Sequence, residues 1–254
     1  MKNSIIKPKW CIPKSVKVLV TTREFLSIQN FNISYANNNK FYKTLVNRNK
    51  LLSILPSNPI FIKQAHGVKV INRDDKNETS YVADGIISTR KNEVLSILTA
   101  DCIPIVISST CGNLVCILHV GRKGVEFNII KNAFNKLSKY NYEFAAWIGP
   151  CISSEFYLVD VSIKNLFKNI NIEYEKFFSK SKDNLFSMDL VGIASLQLKE
   201  CNVKKIYLSN LCTYKNKDLL YSYRDSHDHR RFGTFVWIED KKKNSKRLHN
   251  FFWL

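Results

Sequence analysis

Leu98-Thr99-Ala100-Asp101-Cys102-Ile103-Pro104-Ile105-Val106-Ile107-Ser108-Ser109-Thr110-Cys111-Gly112-Asn113-Leu114-Val115-Cys116-Ile117-Leu118-His119-Val120-Gly121 is the stretch on which the reading of this chain turns. Ile103–Ser108 and Leu114–Val120 are near-continuous apolar runs, the pattern of strands. Between them lies Ser109-Thr110-Cys111-Gly112-Asn113, a turn by composition. The pattern predicts a hairpin. With its turn centred on Cys111, residue 102 lies opposite about 120 and residue 119 opposite about 103. Cys102 and His119 then emerge at the same end of adjacent strands, within reach of one ion.

Working outward, Pro59–Lys63 reads as a short strand running into Gln64-Ala65-His66-Gly67, and Val68–Asn72 as another. The chain has five histidines, and His66 and His119 both sit at the edge of an apolar run. Two imidazoles and a thiolate are the ligand set of a zinc or copper site with an open coordination position. Gly67 follows His66, Gly121 follows His119 by two residues, and Asp101 adjoins Cys102. Glycine lets the backbone turn sharply beside a ligand. His66, Cys102 and His119 are therefore expected to form a metal site at one rim of a sheet. Asp84 and Asp101 are either a carboxylate pair for acid–base work or turn caps. Arg224 and Arg231 are candidates for binding phosphate or a carboxylate, with surface charge as the alternative. His227 and His229 are either a second metal pair or part of a solvated loop.

Further strands are expected at Val16–Thr21, Gly85–Ser88, Val94–Leu98, Phe144–Ile148, Phe156–Val159, Lys205–Leu208 and Thr234–Ile238. Helical spacing marks Phe41–Leu55, stopped by Pro56, together with Val125–Tyr140, Val161–Ile170 and Ser187–Cys201, with Ser187 as N-cap. Strands and helices mixed in this order predict one α+β or mixed α/β domain. We expect it over residues 1–238, with 239–254 as a basic C-terminal extension.

At 254 residues and 45% hydrophobic composition the chain can bury a full core. No stretch is apolar enough to span a bilayer and no apolar signal core precedes Pro8, so a cytoplasmic protein without a membrane partner is expected. Seven cysteines without a Cys-x-x-Cys pair fit a reduced chain rather than a disulfide framework. The net charge of +18 comes from lysines spread along the chain, without a recognition motif. Specific nucleic-acid binding is not expected.

Gln64-Ala65-His66-Gly67 resembles the Gln-x-His-Gly signature of the multi-copper polyphenol oxidase (laccase-domain) family, bacterial type, also described as a purine nucleoside phosphorylase family. Ala83-Asp84-Gly85 and Thr99-Ala100-Asp101-Cys102-Ile103-Pro104 are similar to its Ala-Asp and Thr-Ala-Asp-Cys-x-Pro blocks. His119-Val120-Gly121-Arg122-Lys123-Gly124 and Ala146-Trp147-Ile148-Gly149-Pro150-Cys151-Ile152 resemble two more. Leu211-Cys212-Thr213, Ser222-Tyr223-Arg224 and Arg231 are similar to the C-terminal pattern, and Thr22-Arg23 and Asn47-Arg48 also fit. The chain departs from the family where Arg122-Lys123 replaces Trp-Arg, where the glycine pair after Thr22-Arg23 is missing, and at Asp225 and Arg230.

The resemblance implies a single domain of two stacked mixed sheets flanked by helices, in αββα layers. It implies purine nucleosides and phosphate as partners: phosphorolysis of adenosine, inosine and S-methyl-5'-thioadenosine, and hydrolytic deamination of adenosine. Zinc is the expected metal, with copper as the alternative. In that reading Asp101 or Asp84 shuttles protons, Cys102 is catalytic as well as a ligand, and Arg48, Lys123 and Arg231 hold phosphate. Rival readings are a cytoplasmic amidase editing peptidoglycan precursors, a copper-dependent polyphenol oxidase, and a metal-binding module without turnover. The oligomeric state is left open.

Overall fold

In the computed structural model, described over residues 5–36, 41–227 and 229–240, the hairpin forms as an antiparallel pair, Ile103–Ser109 with Val115–Val120. The register places His119 opposite Pro104 and Val120 opposite Ile103, one residue from the expected pairing. The cause is local. The Ser109 hydroxyl oxygen accepts from the backbone N–H groups of Asn113 (2.9 Å) and Leu114 (3.1 Å), which makes Ser109 the last strand residue and moves the centre of the turn to between Cys111 and Gly112. Cys102 thus sits just beyond the last pair, beside Gly121.

Around this hairpin grows a mixed six-stranded sheet, in the order Lys205–Leu208, Phe144–Ile148, Ile103–Ser109, Val115–Val120, Gly85–Ser88, Val70–Asn72. The two outermost pairings are parallel and the inner ones antiparallel. A second mixed sheet has five strands, Ile5–Ile6, Val16–Thr21, Phe232–Ile238, Leu95–Thr99 and Ile60–Phe61, of which only the last pairing is parallel. Two small antiparallel sheets complete the described residues. One joins Leu158–Val159, Phe186–Met188 and Phe178–Lys180, and the other Glu24–Phe25 and Ile28–Gln29. The expectation of two sheets is corrected to four: strands of two or three residues carry no period for a sequence to display.

Alternation along the strands sorts the core into layers. Val106, Val115, Ile117 and Trp147 of the larger sheet pack with Val18, Ile97, Phe232 and Val236 of the other. On the opposite face of the larger sheet, Ile105, Ile107, Cys116 and Leu118 meet helix residues Ile130, Ala133, Ile193 and Leu198. Leu19, Phe235 and Trp237 turn outward from the five-stranded sheet onto Leu51 of the helix Phe41–Leu52. His119 shares the parity of Val115 and Ile117, so its ring faces the layer between the sheets. Ile117 is fully buried there. Ile117→Ala should lower the unfolding free energy by about 2–5 kcal/mol, read from urea denaturation monitored by circular dichroism.

Helix ends follow side-chain chemistry. The expected helix Val125–Tyr140 is interrupted: Arg122–Glu126 and Ile129–Leu137 are separate, and Asn128 between them adopts a left-handed φ of 54°. Asparagine tolerates that conformation, and its side chain caps the second helix by accepting from Lys131 N–H at 2.9 Å. Ser187 is not the N-cap of the later helix. Asp189 is, accepting from Gly192 N–H at 2.9 Å, and Ser187 lies in the strand before it. The first helix ends at Leu52 rather than Leu55, and the strand expected from Phe156 opens with a turn of 3-10 helix at Ser154–Phe156. No helix among the described residues is long and apolar enough to cross a membrane. Residues 241–254 of the expected basic extension lie outside the described residues.

Candidate metal centre and its cleft

His66, Cys102 and His119 come together, each offering one ligand atom, with those atoms all within 4.8 Å of one another. The two imidazoles meet edge to face, centroids 4.7 Å apart. Zinc bonds of about 2.0–2.3 Å set tetrahedral ligand atoms roughly 3.3–3.8 Å apart, so shifts of about 1 Å close the triad around an ion. His119 is buried, Cys102 half-buried and His66 exposed, which leaves one side of the site open.

Asp84 organises two of the three candidate ligands. Its Oδ1 accepts from the Nδ1 of His119 (2.8 Å) and from the His66 backbone N–H (3.0 Å). Its Oδ2 accepts from the N–H groups of Ala65 (3.2 Å) and Gly67 (2.7 Å). A carboxylate on Nδ1 leaves Nε2 of His119 as the ligand nitrogen and fixes the ring. The loop of His66, itself left-handed at φ 55°, wraps around the same carboxylate. The side-chain amide of Gln64 donates to Leu98 C=O and accepts from Leu98 N–H, both at 2.8 Å, tying this loop to the five-stranded sheet.

The electrostatics favour an ion pair between Cys102 and His119. Burial opposes ionisation of Cys102, but His119 and His66 together outweigh it and lower the thiol to about 6. Burial likewise disfavours the His119 imidazolium, yet Cys102 and Asp84 raise it to about 9. Burial would raise Asp84, while its bonds to His119, Gly67 and Ala65 hold it below the usual carboxylate range. A thiolate is the form that ligates a metal.

Gly121 closes the back of the site. A Cβ at this position would lie 3.0 Å from Cys102 Sγ and 3.8 Å from His66 Cδ2. Its extended backbone, φ −95°, suits any residue, so the requirement for glycine is steric. Gly121→Ala should push the sulfur out of line and weaken metal binding by about 10-fold or more, measured by competition with a chromophoric chelator.

The triad borders a cleft of about 810 Å³, whose walls include Tyr35, Phe61, Tyr157 and Tyr223 and the cations Lys63, Arg224 and Arg231. A multi-copper polyphenol oxidoreductase laccase family model matches residues 17–239. The chain belongs to that family. A purine nucleoside phosphorylase of Haemophilus influenzae is 26% identical over 245 residues, covering 92% of this chain and 99% of the relative. Another from Rickettsia prowazekii is 34% identical over 170 residues, 66% of this chain and 71% of the relative. The crystal structure of YlmD from Geobacillus stearothermophilus shares the fold, with a TM-score of 0.83 at 19% identity, covering 94% of this chain and 98% of that one.

On this laccase-family scaffold the expected residues fall into two groups. Arg231 lines the cleft, its guanidinium 5.6 Å from the Tyr223 ring centre. Asp101 also lines it, at a left-handed φ of 94°. Its Oδ1 accepts from the Thr213 hydroxyl (2.6 Å) and its Oδ2 from Arg224 N–H (2.7 Å). Arg48 and Lys123 do not line the cleft. The Arg48 guanidinium is held behind its wall, 4.1 Å from the ring centre of Tyr35 and 3.8 Å from that of Phe61, and donates to Ile33 C=O. Lys123 points to solvent from the first turn of its helix, while neighbouring Arg122 pairs with Glu126. His229 borders the cleft, and among the described residues no third ligand joins it and His227. The aromatic walls were missed. Tyr35, Tyr157 and Tyr223 lie on three distant segments, and only the fold brings them together.

Proposed function

We propose that this chain is a metal-dependent purine nucleoside enzyme. It phosphorolyses adenosine, inosine and S-methyl-5'-thioadenosine to the base and the sugar 1-phosphate, and hydrolytically deaminates adenosine. The observation that carries this reading is a His66–Cys102–His119 triad beside a cleft walled by aromatic rings and cations. When bound, zinc or copper supplies a Lewis acid with an open coordination position.

Tyr35, Phe61, Tyr157 and Tyr223 offer faces on which a purine stacks, worth about 1–3 kcal/mol per base. Arg231, Arg224 and Lys63 supply the charge-assisted hydrogen bonds that hold phosphate. They take over the role expected of Arg48 and Lys123, and Arg48 stiffens the aromatic wall. Asp101 keeps a second lone pair on each carboxylate oxygen and serves as the proton carrier in the cleft. Asp84 is a positioning residue, because four donors already fill its acceptor sites. Cys102 is a ligand whose thiolate state His119 maintains.

The test is an assay of the zinc- or copper-loaded protein with adenosine, inosine and S-methyl-5'-thioadenosine, with and without inorganic phosphate. The expected products are free base in the phosphate-dependent reaction and inosine from adenosine without phosphate. A protein that binds metal in full and turns over none of these nucleosides would overturn the reading.

A further inference from the structure

Behind the metal loop lies a pair of thiols that the proposed chemistry does not use. Cys151 and Cys212 face each other across an isolated parallel β-bridge. Its hydrogen bonds run from Cys151 N–H to Leu211 C=O (3.2 Å) and from Thr213 N–H to Cys151 C=O (3.0 Å). Directly bridged residues on neighbouring strands have Cα atoms about 4.8 Å apart and side chains on the same face. That separation lies within the range a disulfide spans. Both cysteines are free and buried, and both line a cleft of about 280 Å³. Ser153 donates to Cys212 Sγ twice, from its N–H at 3.4 Å and its hydroxyl at 3.2 Å. Two donors from one residue fix the position of the Cys212 sulfur. Burial pushes the Cys151 thiol up, which disfavours it as the first nucleophile, and Ser153 positions the Cys212 sulfur for that role.

We propose that Cys151 and Cys212 form a reversible redox site, oxidised by hydrogen peroxide to a disulfide that acts on the adjoining metal loop. Cys212 gives up its proton and its sulfur attacks one peroxide oxygen. The O–O bond breaks, hydroxide leaves to become water, and a sulfenic acid forms. The Cys151 sulfur then attacks the sulfenic sulfur. The S–O bond breaks, and the hydroxyl leaves as water with the Cys151 proton. Two thiols lose two electrons together, and the peroxide is reduced to two waters.

The link to the metal site is direct. The residue after each cysteine holds Asp101. Ile152 N–H donates to its carbonyl at 3.0 Å, and the Thr213 hydroxyl donates to its carboxylate at 2.6 Å. Asp101 is in turn bonded to Cys102 through the chain. Closing the disulfide moves both holders of the residue that precedes a metal ligand.

The experiment treats the zinc-loaded full chain with hydrogen peroxide and maps its peptides without reduction. Cys151 and Cys212 fall in different tryptic peptides, so their link is read as one cross-linked species. The expected result is that species, reversed by dithiothreitol, still formed in Cys102→Ser, and absent from Cys151→Ser and Cys212→Ser. Recovery of both cysteines as free thiols or as separate sulfinic acids, or of Cys212 joined to another cysteine, would overturn the site. Zinc release to a chelator should differ several-fold between the oxidised and reduced proteins, and equal rates would overturn the coupling to Asp101.

Discussion

His66→Ala, Cys102→Ala and His119→Ala should each yield a folded protein that no longer retains stoichiometric zinc through gel filtration and loses nucleoside turnover. The three ligand atoms lie within 4.8 Å of one another, so removing any one leaves two protein ligands for an ion that ordinarily takes three at a catalytic site. The fold survives because His66 is exposed and Cys102 half-buried at the rim, away from the packed layers. His119 is the exception to watch. It is buried, and alanine there leaves Asp84 without its imidazole partner, at a stability cost of about 1–3 kcal/mol. Metal analysis beside far-ultraviolet circular dichroism separates the two effects. Full occupancy in all three variants would remove the metal centre from the account.

Asp84→Asn should have the second largest effect, and it should act on stability and metal together. The carboxylate receives four hydrogen bonds, three of them from consecutive backbone N–H groups, Ala65 to Gly67. An amide replaces two of those acceptor positions with donors, so at least two groups lose their partner. Each loss costs about 1–3 kcal/mol in a buried setting. With its imidazole no longer oriented, the site should also lose roughly 10–100-fold in metal affinity. The sign with pH follows from the depressed carboxyl. Its contribution to stability is fully present above the ordinary carboxylate range and disappears as pH falls through the lowered value. Urea midpoints of wild type and Asp84→Asn, measured from neutral pH downward, should therefore converge in acid. Parallel curves at all pH values would contradict this role.

The central hairpin was legible because residues buried on both faces of a strand leave an unbroken apolar run, and a cluster of turn formers marks the reversal. Its register slipped by one residue because the Ser109 hydroxyl captures two N–H groups, a choice that composition does not display. The His66–Cys102–His119 cluster was legible for a different reason: Cys102 and His119 flank one end of the hairpin, His66 precedes a glycine, and Gly121 permits close approach to the Cys102 sulfur. The lining of the cleft was legible only in part: Arg231 and Asp101 border it, and Arg48 and Lys123 do not. Lys123 and Arg122 are neighbours in sequence, and helix phase alone sends one to solvent and the other to Glu126. Arg48 has the charge of an anion binder, but Tyr35 and Phe61 enclose its guanidinium. Ser187 gave way to Asp189 as a cap because both residue types are suited to it and only the strand at Phe186–Met188 decides between them.

The tie between Gln64 and Leu98 gives the ion a mechanical meaning. The His66 loop is anchored on the five-stranded sheet, His119 belongs to the six-stranded one, and Cys102 sits on the crossover from Leu95–Thr99 to Ile103–Ser109. A cation gripped by all three rivets one layer to the other at a single end. Backbone amides of both layers near that end should then slow their exchange with deuterium in step when metal is added, while those around the far turn at Gly112 stay unaffected.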